Sequence, residues 1–416
     1  MGKRKQHDLD GRTLEGGGQL IRIAYCLSAL TRIPVKVENI RGNRSRGGGL
    51  KAQHLACVQW LARASNAQLS GAGTGSKTLL FTPDKSTADP SPAFTKKTLQ
   101  DGNQAYECRL DIGTAGSTGL ALQAILPFIL FSPLPSPLPI HLRISGGTNV
   151  SGSPSFEYIK HVLLPTLSRL GFPEITATLG KRGWSHGGAS IGNFTLEIPP
   201  RPSPVLPAFT YRPSNPTLSN PSSLRAIFLA PISCHQAFTT ALKTSLTTHF
   251  STSFPLGHGN LAIQHQDSQN DKRIYFILIA RVPHPEAPQG SYILARDCLY
   301  DQRIRNGDEA AAEMADSVTK DLVAEWKSGG WVDEHMRDQL VIFQALAKGK
   351  SQVFPGVDEH GDEREPSLHA RTAEWVSKQI LGVKFDSEGS CEGVAYGDED
   401  EGADDRFLEG VEKLQG

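Results

Sequence analysis

The sequence predicts a mixed chain, α+β or α/β in class, on three observations. Short strand-like runs alternate with helical patterns over the first 200 residues. Glycine-rich turns stand where strands hand over to helices, at Gly16-Gly17-Gly18, after Ile112 and at Gly146-Gly147. Eight prolines crowd into residues 199–221 and set a smaller segment, about 222–304, apart from the rest. Strands that feed helices through tight turns build layered sheet-and-helix domains.

Taken in order, His7–Leu14 leads into the first glycine triplet, and Leu20, Ile23, Ala24, Leu27 and Leu30 then recur at helical spacing. Pro34 stops that helix, and Val35–Ile40 alternates as a strand. Ala52, Leu55, Ala56 and Ala62 mark a second helix. Glu107–Ile112 reads as a strand, followed by a helix reaching about Phe131. His141–Ser145 is a further strand, and Phe156–Leu170 a further helix. Pro133, Pro135, Pro137 and Pro139 mark a surface loop. Beyond the proline-rich stretch, Asp308–Trp326 and Glu334–Ala347 return to helical periodicity. The strand–glycine–helix unit recurs, but without a sequence period.

Composition excludes several classes. The 416 residues are 38% hydrophobic and 21% charged, enough to bury a core. The longest apolar run, Leu120–Phe131, is broken by Gln123 and Pro127 and falls short of the ~20 residues a membrane span needs. The start, Met-Gly-Lys-Arg-Lys-Gln, has no apolar stretch behind it, so no secretory leader is expected. Six cysteines without a C-x-x-C pair argue against a zinc site or a disulfide framework. The net charge of zero hides an asymmetry: residues 386–416 carry 11 acids and 2 bases, leaving the rest basic. A basic body admits an anionic partner, and the tail reads as a solubilising, disordered segment.

Four features could carry chemistry. The glycine triplet followed by Gln19 opens a helix, whose free N–H groups suit a phosphate; alone it is equally a tight turn. It matches neither the Walker A nor the dinucleotide pattern. Residues 41–54 combine four cations and four glycines, either a phosphate-holding loop or a solvated turn. Asp333, Glu334, Asp338 and Gln339 form an acidic cluster in which Glu334 and Asp338 stand four apart, either a Mg²⁺ or ribose site or an exposed first helical turn. Thirteen histidines show no metal-ligand spacing, and His369 does not stand out among them by composition.

Several motifs nevertheless occur together: Asp-Gly-x-x-x-Glu-Gly-Gly-Gly-Gln (10–19), Ile-Arg-x-x-Arg (40–44), Gly-Leu-x-x-Gln-His (49–54), Ser-Gly-Gly-Thr-Asn (145–149), Val-Asp-Glu-x-x-x-Asp-Gln-Leu (332–340) and Leu-His-x-x-Thr (368–372). In this order they resemble the RNA 3′-terminal phosphate cyclase family over most of the chain outside 201–304 and the tail. The resemblance implies an α+β fold, with a large domain of repeated βαβ-type units, two helices on a four-stranded sheet each, and a smaller inserted α/β domain. It implies a catalytic domain from residues 1–200 and 305–385, an insert at 201–304 and the acidic tail at 386–416. It also implies ATP-dependent conversion of an RNA 3′-phosphate into a 2′,3′-cyclic phosphodiester through a histidyl-AMP and an RNA-(3′)pp(5′)A end.

By the same resemblance, His369 matches the adenylated histidine and Glu15 an acid that meets Mg²⁺ or Mn²⁺. Gln19 and Arg22 match nucleotide- or phosphate-facing positions, and Gln123 and Pro154 fall where the nucleotide pocket is lined. Asp338 and Gln339 match an acid and an amide that meet the nucleotide, and Arg41 and Arg44 match arginines that hold the RNA terminal phosphates. Gln53 and His54 close that motif. His335 stands where the family usually has Tyr, Gly48-Gly49 where it has Pro-Gly, and Trp184–Gly188 replaces a Tyr-Tyr-Pro turn; 290–306 fits poorly. The partners implied are ATP and an RNA with a 3′-phosphate, with no membrane and no obligatory protein partner. Nuclear localisation is expected, with the cytoplasm as the alternative. Two competing readings are a non-catalytic cyclase-like scaffold in small ribosomal subunit assembly, which lacks the histidine, and a carboxyvinyl transferase, for which no substrate site is legible.

Overall fold

The computed structural model describes residues 5–44, 47–84, 92–132, 134, 136–214, 218–250, 260–302, 304 and 306–398. The first unit runs β1 (His7–Asp10), α1 (Gly18–Thr31), β2 (Val35–Glu38), α2 (Ala52–Ser65), β3 (Gln68–Ser70) and β4 (Leu79–Thr82). Its sheet has the order β1-β2-β4-β3, with β1 and β2 parallel and the other pairs antiparallel. A parallel pair needs a long crossover, which α1 supplies.

The second unit runs β5 (Phe94–Thr98), β6 (Gln104–Asp111), α3 (Thr118–Phe131) and β7 (Ile140–Gly146). It continues through α4 (Phe156–Tyr158), a π-helical turn at Ile159–Leu163 and α5 (Leu164–Arg169) to β8 (Thr176–Lys181) and β9 (Gly192–Ile198). Its sheet order is β5-β6-β7-β9-β8, again with one parallel pair, β6 and β7. Next come β10 (Thr210–Tyr211), β11 (Ser223–Ala230), α6 (His235–Phe250), β12 (Leu261–Asp267), β13 (Tyr275–Pro283), β14 (Ser291–Leu299) and α7 (Gly307–Lys327). The described chain closes with α8 (Glu334–Leu346), β15 (Lys348–Val353), α9 (Leu368–Leu381) and β16 (Ser390–Val394).

Strand β10 pairs in parallel with β15, and β15 antiparallel with β16. The third unit is therefore β10, α8, β15, α9, β16, with the β12-β11-β13-β14 sheet and its two helices inserted after its first strand. The repetition that has no sequence period is real in topology. It is an α+β fold of repeated units. The helices of the three units pack together, α1 against α2, α3 and α9, and α8 against α3 and α9. Helices α1 and α3 are accordingly buried almost throughout, including the in-helix Pro127. The sheets face outward, and β6 alternates Cys108 and Leu110 inward with Arg109 and Asp111 outward. No described helix is long and apolar enough to cross a membrane.

Three boundaries differ from expectation. Strand β10 lies inside the proline-rich stretch and belongs to the third sheet rather than to an insert starting at 201. Only two residues pair there, in a stretch whose prolines lack the N–H a ladder requires. Helix α7 lies beyond the expected end at 304, yet packs on α6, β13 and β14 and so completes the insert's own layer. Periodicity shows an apolar stripe, here Ala311, Met314, Val318 and Leu322, but not which sheet receives it. Residues 386–398 are part of the fold: Ser390–Val394 form β16, and the Tyr396 hydroxyl donates to Leu30 O at 2.9 Å. The rest of the acidic tail, 399–416, lies outside the described residues, as do Pro133 and Pro135 of the proline loop.

One residue joins the second unit, the third unit and the insert. The fully buried Asp333 caps α8 by accepting from Met336 N at 2.9 Å. The same oxygen accepts from the Tyr158 hydroxyl at 2.6 Å, and the other from Ala295 N on β14 at 3.1 Å. Asp333→Ala removes a cap and orphans two further donors. It is expected to cost roughly 3 kcal/mol, read as a lowered thermal midpoint by circular dichroism; an unchanged midpoint would deny Asp333 this role.

Candidate active site

Each parallel crossover brings the start of its helix to the same edge of its sheet, and three such edges meet around one cavity of about 630 Å³. First-turn or capping residues of six helices line it: Gly18 and Gln19 of α1, Gln53 and His54 of α2, Ser117 before α3, Ser155 before α4, His335 of α8 and His369 of α9. Helix starts present free N–H groups and positive dipole ends, so the cavity favours anions before any side chain is counted. The tight entry to α1 explains its glycines. A Cβ on Gly17 would run into the Glu15 carboxylate, and one on Gly18 would meet His54 and Arg22.

All eleven residues carried over from the family motifs line this cavity: Glu15, Gln19, Arg22, Arg41, Arg44, Gln123, Pro154, His335, Asp338, Gln339 and His369. At its centre is Arg22. Its Nε donates to Gln123 Oε1 at 2.7 Å, and its Nη2 donates to Gln19 Oε1. No carboxylate among the described residues lies within ion-pair distance of it. The amide nitrogens of Gln19 and Gln123 are buried without a partner among the described residues. A buried guanidinium flanked by two unsatisfied N–H₂ groups is a strong demand for an anionic acceptor.

His369 is the second residue of α9, where Ser367 caps the helix by accepting from Ala370 N at 3.1 Å. Its ring is open to solvent at the cavity, and neither nitrogen is hydrogen-bonded among the described residues. Partial burial, with Arg22 and Arg44 nearby, draws its pKa below the ordinary value against the opposing pull of Glu15. A neutral imidazole with a free nitrogen beside an anion seat has the chemistry a nucleophile needs. His54 is a different case: burial and then Arg22, Arg41 and Lys51 push it down to about 3, so it stays neutral, its Nδ1 accepting from Lys51 N at 3.4 Å.

The loop after β2 supplies a second cationic group. Arg41, buried at φ 55°, donates to Gly49 O at 3.3 Å, and Arg44 pairs with Glu15. Lys51 also lines the cavity and is drawn below its usual pKa by Arg41 first. Gly49, at φ +88°, passes so close to Gly75 O that a Cβ would not fit. Ser45 and Arg46 of this loop lie outside the described residues.

The acidic cluster separates into three jobs. Asp333 is the buried joint. Glu334 is exposed and reaches Arg296 at 3.5 Å, so it does not share a site with Asp338. Asp338 faces the cavity and accepts from Gln339 Nε2 at 2.9 Å. Among the described residues no three His, Cys, Asp or Glu side chains cluster to hold a metal. Beside Arg44 and the glycine triplet Glu15 offers a carboxylate, its Oε2 accepting from Gln19 N at 3.4 Å. That set fits Mg²⁺ or Mn²⁺ held by one carboxylate together with substrate phosphates, and not a protein-only cage.

Sequence reasoning missed the insert's share of the wall. Tyr275, Asp297 and Leu299, on β13 and β14, line the cavity with Tyr158 of α4. Nothing in the 222–304 segment marks these positions, because their role comes from where the insert docks.

Comparison with known proteins points to one family. The profile described as RNA 3′-terminal phosphate cyclase matches residues 13–387. The chain is 30% identical to the RNA 3′-terminal phosphate cyclase of Methanosarcina mazei, over 91% of this chain and 96% of that protein. It is 28% identical to the protein of that name from Pyrococcus furiosus, over 92% and 95%. It is also 28% identical to a probable RNA 3′-terminal phosphate cyclase of Dictyostelium discoideum, over 93% and 83%.

Burial pushes the Asp338 carboxyl up to about 7, against the pull of His335 and Arg22. An unfolded Asp titrates near ~3.9, so between about pH 4 and 7 the unfolded chain ionises there first and the native state loses stability. The loss is absent below that window and constant above it. Asp338→Asn removes it. The variant's melting midpoint relative to wild type should climb by a few degrees across the window and then level off; a flat difference would contradict a raised Asp338.

Proposed function

Because the chain belongs to the RNA 3′-terminal phosphate cyclase family, we propose that it converts RNA 3′-phosphates to 2′,3′-cyclic phosphodiesters at the expense of ATP, by covalent nucleotidyl transfer through His369. The observation that carries this reading is the free imidazole of His369 in one cavity with the buried Arg22, Gln19 and Gln123 donors. A non-catalytic scaffold has no need of that arrangement.

In the first step a His369 ring nitrogen attacks the α-phosphorus of ATP. A P–N bond forms, the bond to the β-phosphoryl oxygen breaks, and pyrophosphate leaves. Arg22, Gln19 and Gln123 bind the phosphoryl oxygens on which charge builds, donors already in place before the reaction. Pro154 and His335 flank the base, and Asp338 with Gln339 meets the nucleoside. Glu15 would hold a Mg²⁺ or Mn²⁺ ion, which supplies charge neutralisation for the triphosphate. In the second step an oxygen of the RNA 3′-phosphate, held by Arg41 and Arg44, attacks the same phosphorus. The P–N bond breaks and an RNA-(3′)pp(5′)A end forms. In the third the vicinal 2′-hydroxyl attacks the RNA phosphorus, loses its proton and expels AMP. That attack closes a five-membered ring within one molecule, so proximity supplies much of its rate. Nuclear localisation is proposed separately, on the family resemblance, and imaging of a tagged chain would test it.

Incubation with α-labelled ATP and Mg²⁺ or Mn²⁺ should leave acid-labile, alkali-stable label on the wild-type protein. His369→Ala should retain less than about 1% of it. Arg22→Ala should label on the order of 10²- to 10³-fold more slowly while still folding. With a 3′-phosphorylated oligoribonucleotide, wild type should release AMP and make the end resistant to phosphatase. Folded wild type without label under either metal would overturn the reading and favour the ribosome-assembly scaffold.

A further inference from the structure

The buried carboxylates near the cavity are nearly all accounted for. Glu157 pairs with Arg182 at 2.7 Å, Glu325 with Arg296 and Arg364 at 3.1 and 3.0 Å, and Asp333 caps α8. Asp297 is different. It sits on β14 of the insert and faces the cavity. Its Oδ2 accepts from the Tyr275 hydroxyl at 2.8 Å, and that hydroxyl lies 2.6 Å from Ser155 Oγ. Among the described residues no arginine, lysine or N–H group donates to it. A carboxylate kept in such a place with no ion-pair contact among the described residues is costly, and this is the kind of group a ligand explains.

Its neighbours say which part of a ligand it meets. Arg22, Gln19, Gln123 and His369 make the phosphate end of the cavity. Asp297 belongs to the other end, with His335 and with Ser155 next to Pro154. Leu299, two residues further along β14, shares its side of the strand and adds apolar surface. Purines differ at this point in chemistry: adenine offers a 6-amino donor, whereas hypoxanthine and guanine carry a 6-oxo acceptor that would oppose a carboxylate lone pair. We propose that Asp297 accepts a hydrogen bond from the 6-amino group of bound ATP, so that the insert, through β14, sets base specificity. This rests on the ATP chemistry proposed above. Tyr275 and Ser155 act as positioning residues that hold the carboxylate in place.

The test compares rates of protein labelling by ATP, purine riboside 5′-triphosphate (hydrogen at position 6), ITP and 2′-deoxy-ATP, in wild type and Asp297→Asn. Wild type should prefer ATP over the 6-hydrogen analogue by on the order of 10- to 100-fold, the worth of a hydrogen bond to a charged group. Asp297→Asn should lose most of that preference through slower labelling by ATP. It should gain on ITP, because the amide N–H₂ can donate to a 6-oxo group. The ratio within one variant does not depend on its folded fraction. Asp297→Ser, read by the same ratio, serves if the first variant folds poorly. An unchanged ratio of ATP to its 6-hydrogen analogue would overturn the proposal while leaving the nucleotidyl transfer intact. A change confined to the 2′-deoxy-ATP ratio would move the carboxylate to the ribose and overturn it equally. Wild type that no nucleotide labels would instead overturn the ATP reading itself, and this inference with it.

Discussion

The cavity depends on Asp333. Three pieces of chain distant in sequence must be fixed relative to one another before the site exists: α4 of the second unit, α8 of the third, and β14 of the insert. One buried carboxylate accepts a hydrogen bond from each. Its negative charge is matched to three donors that would otherwise be buried unpaired, so moving any of the three pieces leaves polar groups unsatisfied in the interior. The insert is thereby a fixed wall of the cavity, and its strands bring Tyr275 and Asp297 to a site otherwise built from the repeated units.

Around that joint the electrostatics are divided. The cationic side holds Arg22, Arg41, Arg44 and Lys51, reinforced by six helix starts; the acidic side holds Asp297 and Asp338. Glu15 stands between, tied to Arg44. A polyphosphate nucleoside has the same division, with its charge at one end and neutral hydrogen-bonding groups at the other. His369 sits on one of these helix starts, its imidazole free of hydrogen bonds to the described residues. Burial lowers its proton affinity, and the cations that add to this also attract an anionic group.

Much of the local fold is legible from pattern. The helices α1, α3 and α8 begin and end close to where glycine, proline and apolar spacing place them, because those signals are local and act through backbone conformation. Strand β10 is not legible: two residues among prolines carry no periodicity, and they pair only because β15 is there to receive them. The partner of α7 is hidden for a related reason, since an apolar stripe fits any apolar face. Charge alone marks a tail from 386, while β16 is held by backbone bonds to β15 that leave no trace in charge.

The same division holds for the site. The sequence by itself determined the residue types: the glycine triplet with Glu15 and Gln19, the arginine loop, the Asp338–Gln339 pair and the histidine of the Leu-His-x-x-Thr motif. Their spacing is fixed by short loops and single helix turns, so each motif survives as a readable string. Tertiary structure alone decided which of them face one another. It left Arg22 with no carboxylate in ion-pair contact among the described residues, and it turned Glu334 to Arg296 while Asp338 lines the cavity. It also carried Asp297 into the cavity from a segment that no motif marks. Those outcomes depend on how three topologically equal units and an insert dock, and docking is governed by surfaces assembled from the whole chain rather than by any stretch of it.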